Sequence, residues 1–294
     1  TNDGNSDLQP DWVWIKERNN AISHRIFDSS RGVQKRMFSN NTDAESTQSN
    51  SLTAFNTDGF TVGDSGSVNG GSDTYVAWQW KANGGTATAT ISESGSNPAA
   101  SVQANTTAGF SIISYTGTGS EGTIAHGLGA TPKFIIAKNR DAGEGWIIDS
   151  SIITGNSNGT LHFNTDAEYT GGSNQFGTHS STNITIKTAG NINTDGQKYV
   201  AYVFAPIQGY SKFGSYTGNG STNGPFIYTG FKPAWLMIKN TEQNGGQWFI
   251  HDNKRETFNP SNSSLFAESS QAETANNSAL DIDFLSNGWK KRNT

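Results

Sequence analysis

Two short turns carry an aspartate three residues before an arginine, Asp28 with Arg31 and Asp252 with Arg255. Aspartate accepts hydrogen bonds from hydroxyls and arginine donates through a planar fork, so such a pair suits a polar site for a sugar. The same spacing also suits a closed turn in which the carboxylate bonds nearby backbone N–H groups and the guanidinium packs over it, the commoner cause of an aspartate at a strand end. Trp146 and Trp248 start apolar runs after Gly-rich loops and are candidate exposed platforms for stacking on sugar rings. The candidate ligand-binding residues are therefore Asp28, Arg31, Trp146, Trp248, Asp252 and Arg255.

Other chemistries find less support. Glycoside cleavage needs two carboxyl groups about 5 to 9 Å apart in one cleft. The candidates are Glu45, Glu168 and Glu273, each following an alanine in its copy, and the strand-end aspartates. A carboxylate repeated in the same local context suits a shared structural loop better than one active centre, so no catalytic residue is assigned. The five histidines show no paired metal-ligand spacing and cysteine is absent, so neither a metal nor a cofactor is expected. The Gly-rich stretches precede strands rather than helices, unlike phosphate-binding loops. A formal charge of −5 without any Lys/Arg cluster leaves no footprint for nucleic acid. No apolar run approaches the roughly 20 residues that a membrane-spanning helix requires.

The elements that must position these residues read as short strands joined by turns. Charged residues make up only 15% of the 294 residues, and Gly, Ser, Thr and Asn alternate with aromatics. Self-similarity then organises the chain. A marker of proline, aromatic and aliphatic residues and a closing lysine occurs at Pro10 to Lys16, Pro132 to Lys138 and Pro233 to Lys239. Each is a nearly continuous apolar run, as expected of a strand buried on both faces. A second strand follows each marker and ends on Asp28, Asp149 or Asp252; the residue three on is Arg31 or Arg255, but Ile152 in the middle copy. Asp58-Gly59 and Asn287-Gly288, flanked by aromatics, are hairpin signals. Tyr75 to Trp80 and Tyr199 to Phe204 close the first two copies with aromatics at alternate positions, and Phe110 to Tyr115 and Phe213 to Tyr216 open the last two. In the first pair of closing tryptophans, as in Trp12 and Trp14, same-face spacing points to core packing.

The pattern predicts an all-β protein of tandem antiparallel β-sandwich, jelly-roll-like repeats, with three copies of which the first and last are incomplete. The copies are assigned to residues 1–83, which lack the opening strand, 109–207, and 208–294, which lack the closing strand. Residues 84–108, rich in Ala, Thr, Ser, Asn and Gly, read as a linker or surface hairpin. The short Pro206 to Gly209 junction predicts that the second and third copies pack together while the first is more independent.

The runs Trp12 to Lys16, Phe27 to Gly32, Asp43 to Thr47, Leu52 to Phe60, Tyr75 to Lys81, Gly209 to Gly220 and Asp283 to Gly288 resemble a repeat domain of virion proteins of marine tailed bacteriophages. The resemblance covers nearly the whole chain and is weakest in 84–108 and in the middle of the second copy, which also carries His126-Gly127-Leu128-Gly129 before its marker. It implies a non-enzymatic virion or extracellular structural or adhesion protein: a tail fibre, a tail-associated protein or a head decoration. The implied partners are other virion proteins, further copies of the chain, as a trimer in a fibre, and a host-surface glycan. A polysaccharide-degrading tailspike-like enzyme and a purely structural filament subunit are the alternatives.

Overall fold

The computed structural model describes residues 7–149, 159–171 and 174–292 and is all-β. Each marker forms a strand, Trp12–Glu17, Phe134–Asn139 and Trp235–Lys239, and each pairs antiparallel with the strand that follows it, Arg25–Asp28, Ile147–Asp149 or Trp248–Asp252. The first marker is also paired with Tyr75–Trp80, in register from Trp12↔Trp80 to Glu17↔Tyr75. The second pairs with Lys198–Phe204 from Phe134↔Phe204 to Asn139↔Tyr199. The two registers superpose residue for residue, Trp12 on Phe134 and Trp80 on Phe204. Among the described residues the third marker has a neighbour on one side only, its sheet running Trp235–Lys239, Trp248–Asp252, Leu265–Phe266.

Side-chain alternation along these strands separates two destinations. Val13 and Ile15 turn outward onto the hairpin Leu52–Asn56/Gly59–Val62, forming a small core with Phe27, Leu52 and Val68. Ile135 and Ala137 do the same beneath the pair Gly122–Ala125/Asn183–Ile186, with Ile124, Ile184 and Ile186. Leu236 and Ile238 pack on Ile282, Phe284 and Trp289 of the strands Ile282–Leu285 and Gly288–Lys291. Each marker sheet is thus half of a two-layered sandwich. The opposite faces meet in one central core holding Trp12, Trp14, Trp78, Ile136, Trp146, Tyr202, Trp248 and Ile250. There Trp12 stacks on Tyr202 at 4.6 Å, Trp14 meets Phe163 edge-on at 5.3 Å, Phe163 meets Trp248 at 5.6 Å and Trp78 meets Trp235 at 6.4 Å. A nearly continuous apolar run is what a strand between two cores requires, since both of its faces leave water.

The hairpins form where the sequence places them, with different uses of glycine. Gly59 sits at φ +110°, a conformation closed to most side chains, whereas Gly288 is needed for space: a Cβ there would lie 2.2 Å from the Ile227 carbonyl oxygen. In the middle copy, Gly127 and Gly129 at φ +72° and +70° close a tight turn in which the Leu128 N–H donates to His126 Nδ1 at 3.2 Å.

Of the two readings of residues 84–108, the structure takes the hairpin: Ala89–Ile91 pairs with Ala100–Asn105, and the two extend the middle sheet to seven strands along Phe110–Thr116. Two expectations fail on contact with the fold. The first copy is not independent, since its tryptophans supply the middle of the central core. Residues 213–216 form no strand. Their counterpart Phe110–Thr116 is held by Lys198–Phe204, from Phe110↔Phe204 to Thr116↔Lys198, and the third sheet has no strand in that place among the described residues.

Candidate functional site

The Asp/Arg turns are closed, buried and alike. Asp28 Oδ1 accepts the Arg31 backbone N–H at 2.8 Å, its Oδ2 accepts Arg31 Nε, and Arg31 Nη2 donates to the Ile26 carbonyl at 3.2 Å. Asp252 repeats every contact: Arg255 N to Oδ1 at 2.9 Å, Arg255 Nε to Oδ2 at 2.6 Å and Arg255 Nη2 to the Ile250 carbonyl at 2.8 Å. The local cause is the three-residue spacing, which folds the arginine back over the strand end while the carboxylate ties the turn amides. The side chains of Asp28 and Arg31 are wholly out of solvent, and those of Asp252 and Arg255 are 7% and 4% exposed.

Each pair is completed by other sequence copies. Tyr202 of the second copy donates its hydroxyl to Asp28 Oδ2 at 2.6 Å, and Trp78 of the first donates Nε1 to Asp252 Oδ2 at 3.1 Å. These two donors occupy the same place in their strands, opposite Ile136 and Trp14. Glu45 then bridges Arg31 Nη1 at 3.1 Å and Arg140 of the second copy, which clamps both its oxygens at 3.0 and 3.1 Å. Glu273 bridges Arg255 Nη1 at 3.2 Å and Arg18 of the first copy at 2.6 and 3.1 Å. The backbone follows suit, with Glu45 N–H donating to the Arg140 carbonyl at 2.9 Å, Glu273 to Arg18 at 2.7 Å and Tyr169 to Thr241 at 2.8 Å. Contacts therefore pass from the first copy's loop to the second, from the second to the third and from the third back to the first.

Trp146 and Trp248 belong to these seams and are not exposed platforms: they are 0% and 4% exposed. Trp146 Nε1 donates to the Phe38 carbonyl at 2.7 Å and Trp248 Nε1 to the His162 carbonyl at 3.0 Å. His24 holds the corresponding place in the first copy, with Nε2 2.9 Å from the Phe266 carbonyl. Since Trp14 Nε1 donates to His24 Nδ1 at 2.8 Å, the ring is neutral with its proton on Nε2. A Gly-rich loop before an aromatic signals a chain reversal, and here the reversal drives the ring inward.

Electrostatics match the packing. Burial pushes the Glu45 carboxyl up, but the bonds and charges of Arg140 and Arg31 outweigh it and leave its pKa below the ordinary glutamate value. Asp252 is likewise pushed up by burial and brought below its usual value by Arg255. Burial, opposed by Asp28, Tyr202 and Glu45, leaves Arg31 still more firmly protonated than a free guanidinium. Burial lowers Lys16 and Lys138 to about 8. Glu268 runs the other way, raised chiefly by burial. A carboxylate held ionised between two arginines is a poor general acid, which needs a raised pKa.

One open concavity, of about 200 Å³, is lined by Lys232, Asn253, Glu256, Thr257, Phe258, Asn259 and Phe284. Its carboxylate is already engaged: Glu256 Oε2 accepts from Ser261 Oγ, Asn262 N and Ser263 N, and Oε1 from Ser263 Oγ. Among the described residues no group of three or more His, Asp or Glu could hold a metal ion, and no helix is long and apolar enough to cross a membrane.

Sequence reading missed Arg18, Arg140, Tyr202 and Trp78, although a signal was present. Both arginines stand two residues beyond a marker lysine, and both aromatics stand fourth in a closing strand. It also misplaced Asp149. Register Ile136↔Ile148 sets Asp149 where Phe27 and His251 stand, so the counterpart of Asp28 is position 150, outside the described residues, as is Ile152.

No curated protein and no solved structure matches the chain. One family profile matches residues 4–294, nearly the entire length. The chain belongs to that family, described as a domain of unknown function, DUF7483.

Proposed function

We propose that this chain is a non-catalytic structural or adhesion element of a tailed-bacteriophage particle, built as three copies of one β unit closed into a ring. The observation that carries the reading is the use of the seams. The side chains best suited to chemistry, Asp28, Arg31, Asp252, Arg255, Trp146 and Trp248, are occupied as fasteners between copies. Glu45 and Glu273 lie in different seams with two arginines each, an arrangement that serves cohesion and leaves no free acid and base facing one cleft. Residues 1–83, 109–207 and 208–294 are the three units of this reading, with the 84–108 hairpin belonging to the second. The virion assignment rests on the resemblance of the marker, hairpin and closing-strand runs. Host-glycan contact, in this reading, falls to exposed aromatics such as Tyr210, Tyr228 and Phe258, because the seam tryptophans cannot reach a sugar.

Antibody raised against the protein and applied to purified phage particles by immunogold electron microscopy tests the location. Labelling at a defined site on head or tail is expected, and particles free of label would overturn the assignment. Release of reducing ends from host surface polysaccharide by the purified protein would overturn the non-catalytic part.

A further inference from the structure

We infer that the loop after Arg255 forms a subsite for a single acidic sugar ring, with Phe258 as its stacking face and Lys232 as the partner of the acid. The inference deepens the adhesion reading and rests on it for the choice of a glycan. The loop is a local elaboration of the Asp/Arg turn. Ile26 is bridged to Met37, and its counterpart Ile250 pairs with Leu265. Met37 lies nine residues after Asp28 and Leu265 thirteen after Asp252, so the third copy's loop is longer by four. It joins Trp248–Asp252 to Leu265–Phe266, on the side of the sheet away from Trp235–Lys239.

The added length is tied down on both sides of its tip. Glu256 gathers Ser261, Asn262 and Ser263 through four bonds of 2.6 to 2.9 Å. Asn259 pairs with the Phe284 backbone in both directions, its Nδ2 donating to the carbonyl at 3.0 Å and its Oδ1 accepting the N–H at 2.9 Å. Ser261 and Ile282 exchange backbone bonds of 2.7 and 3.0 Å. Between these anchors stand Thr257 and Phe258, both exposed. Phe258 is 86% exposed, the highest value among the exposed large apolar side chains of the described residues. An apolar ring kept in water by a loop too constrained to fold it inward is pre-organised for a partner, because binding has little left to order.

The concavity that Phe258 lines defines the ligand. At about 200 Å³ it falls below the roughly 300 Å³ at which pockets begin to take drug-sized molecules, so it holds one ring and not a chain segment. An aromatic face beside polar groups suits a sugar, whose C–H face stacks while its hydroxyls bond. The Asn253 side-chain amide and the Thr257 hydroxyl line the same space and offer both donors and acceptors. Charge then selects among sugars. The Glu256 oxygens are filled by their own loop, whereas the exposed Lys232 ammonium lines the concavity with no ion-pair partner among the described residues. A carboxylate or sulfate on the ring answers that ammonium.

The test titrates the isotope-labelled protein with methyl glucuronide, methyl glucoside and sodium acetate, following the NMR signals of the Phe258 ring, the Asn253 side-chain amide and the Thr257 N–H. Glucuronide should move all three with a Kd of about 1 mM, as befits one ring. Glucoside should bind about fivefold more weakly, the share of an exposed charge pair, and Lys232→Gln should bring glucuronide to that level. Phe258→Ala should weaken both sugars about tenfold in a protein whose Glu45 amide stays protected from exchange. Signals unmoved by either sugar overturn the subsite. Equal binding of the two sugars overturns the acidic class, and acetate binding as tightly as glucuronide overturns the sugar and leaves a bare anion contact. Capture of host-surface polysaccharide separates this inference from the reading beneath it. Capture undiminished by Phe258→Ala overturns the subsite and leaves adhesion standing; glucuronide bound at Phe258 without capture of polysaccharide overturns adhesion and leaves the subsite.

Discussion

If the seams hold the copies together, cutting one bridge should weaken the whole chain and not the first copy alone. The Glu45–Arg140 contact is the most informative target. It is bidentate, its side chains are 12% and 18% exposed, and it joins positions 95 residues apart. Breaking a fully buried pair costs about 3 to 5 kcal/mol, while exposed pairs contribute about 0.2 to 1. Partial exposure places Glu45→Gln between them, at about 2 kcal/mol, since Arg31 retains Asp28 and Arg140 can turn toward water. For a chain of this size that is a fall in Tm of about 3 °C. A double-mutant cycle with Arg140→Met separates the pair from its surroundings and should return a coupling of about 1 to 2 kcal/mol. The cycle at Glu273 and Arg18 should give less, because Arg18 is 32% exposed. Urea unfolding followed by tryptophan fluorescence and by circular dichroism is the assay, and the two probes should trace one transition. A coupling below about 0.5 kcal/mol at Glu45–Arg140, or an early transition confined to residues 1–83, would refute the reasoning.

Two further outcomes follow from the buried rings. Burial holds His24 and His251 at about 3, far below the ordinary 6.5, so below pH 6.5 the unfolded chain takes up protons that the folded chain refuses. Their stabilisation is complete above about pH 6.5 and declines between 6.5 and 3, by about 1.4 kcal/mol per pH unit for each ring; the urea midpoint should fall over that range, and histidine NMR signals titrating near 6.5 would contradict it. Trp146→Phe removes the donor to the Phe38 carbonyl and Trp248→Phe the donor to the His162 carbonyl. Each should destabilise by about 1 to 3 kcal/mol in thermal unfolding while leaving any glycan-array profile unchanged; a lost glycan signal at unchanged Tm would restore these rings as binding platforms.

The fold was legible because alternation and continuity in apolar residues report directly on faces. Trp12-Val13-Trp14-Ile15 announces a strand buried on two sides, and the structure supplies two cores for it. The site was half legible. The Asp/Arg spacing identifies the turn, but its completion by Tyr202, 174 residues from Asp28, lies in the packing between copies, which local sequence does not encode. The same limit misled the reading of Trp146 and Trp248: loop composition marks where a chain reverses, not which way the next side chain points. Copies matched by sequence alone were also aligned by their aspartates, and the one-residue offset at Asp149 emerged only from the ladder Ile136↔Ile148.

That offset bears on how the seams differ. The first two seams pair an aspartate and an arginine with an aromatic from the neighbouring covering strand and lock a glutamate between two arginines. The third, between the second and third copies, is held by Asn244 and Glu168 at 3.1 Å, by the Tyr169 to Thr241 backbone bond, and by Trp248 Nε1 and Lys239 Nζ donating to the His162 and Asp166 carbonyls, without an arginine at Thr241. The arginine-locked glutamates therefore join the first copy to the second and the third copy to the first, and the contact between the second and third copies has no such lock among the described residues. The seam without an arginine-locked glutamate should open first, so exchange of seam amides should be fastest at Tyr169 and slowest at Glu45 and Glu273.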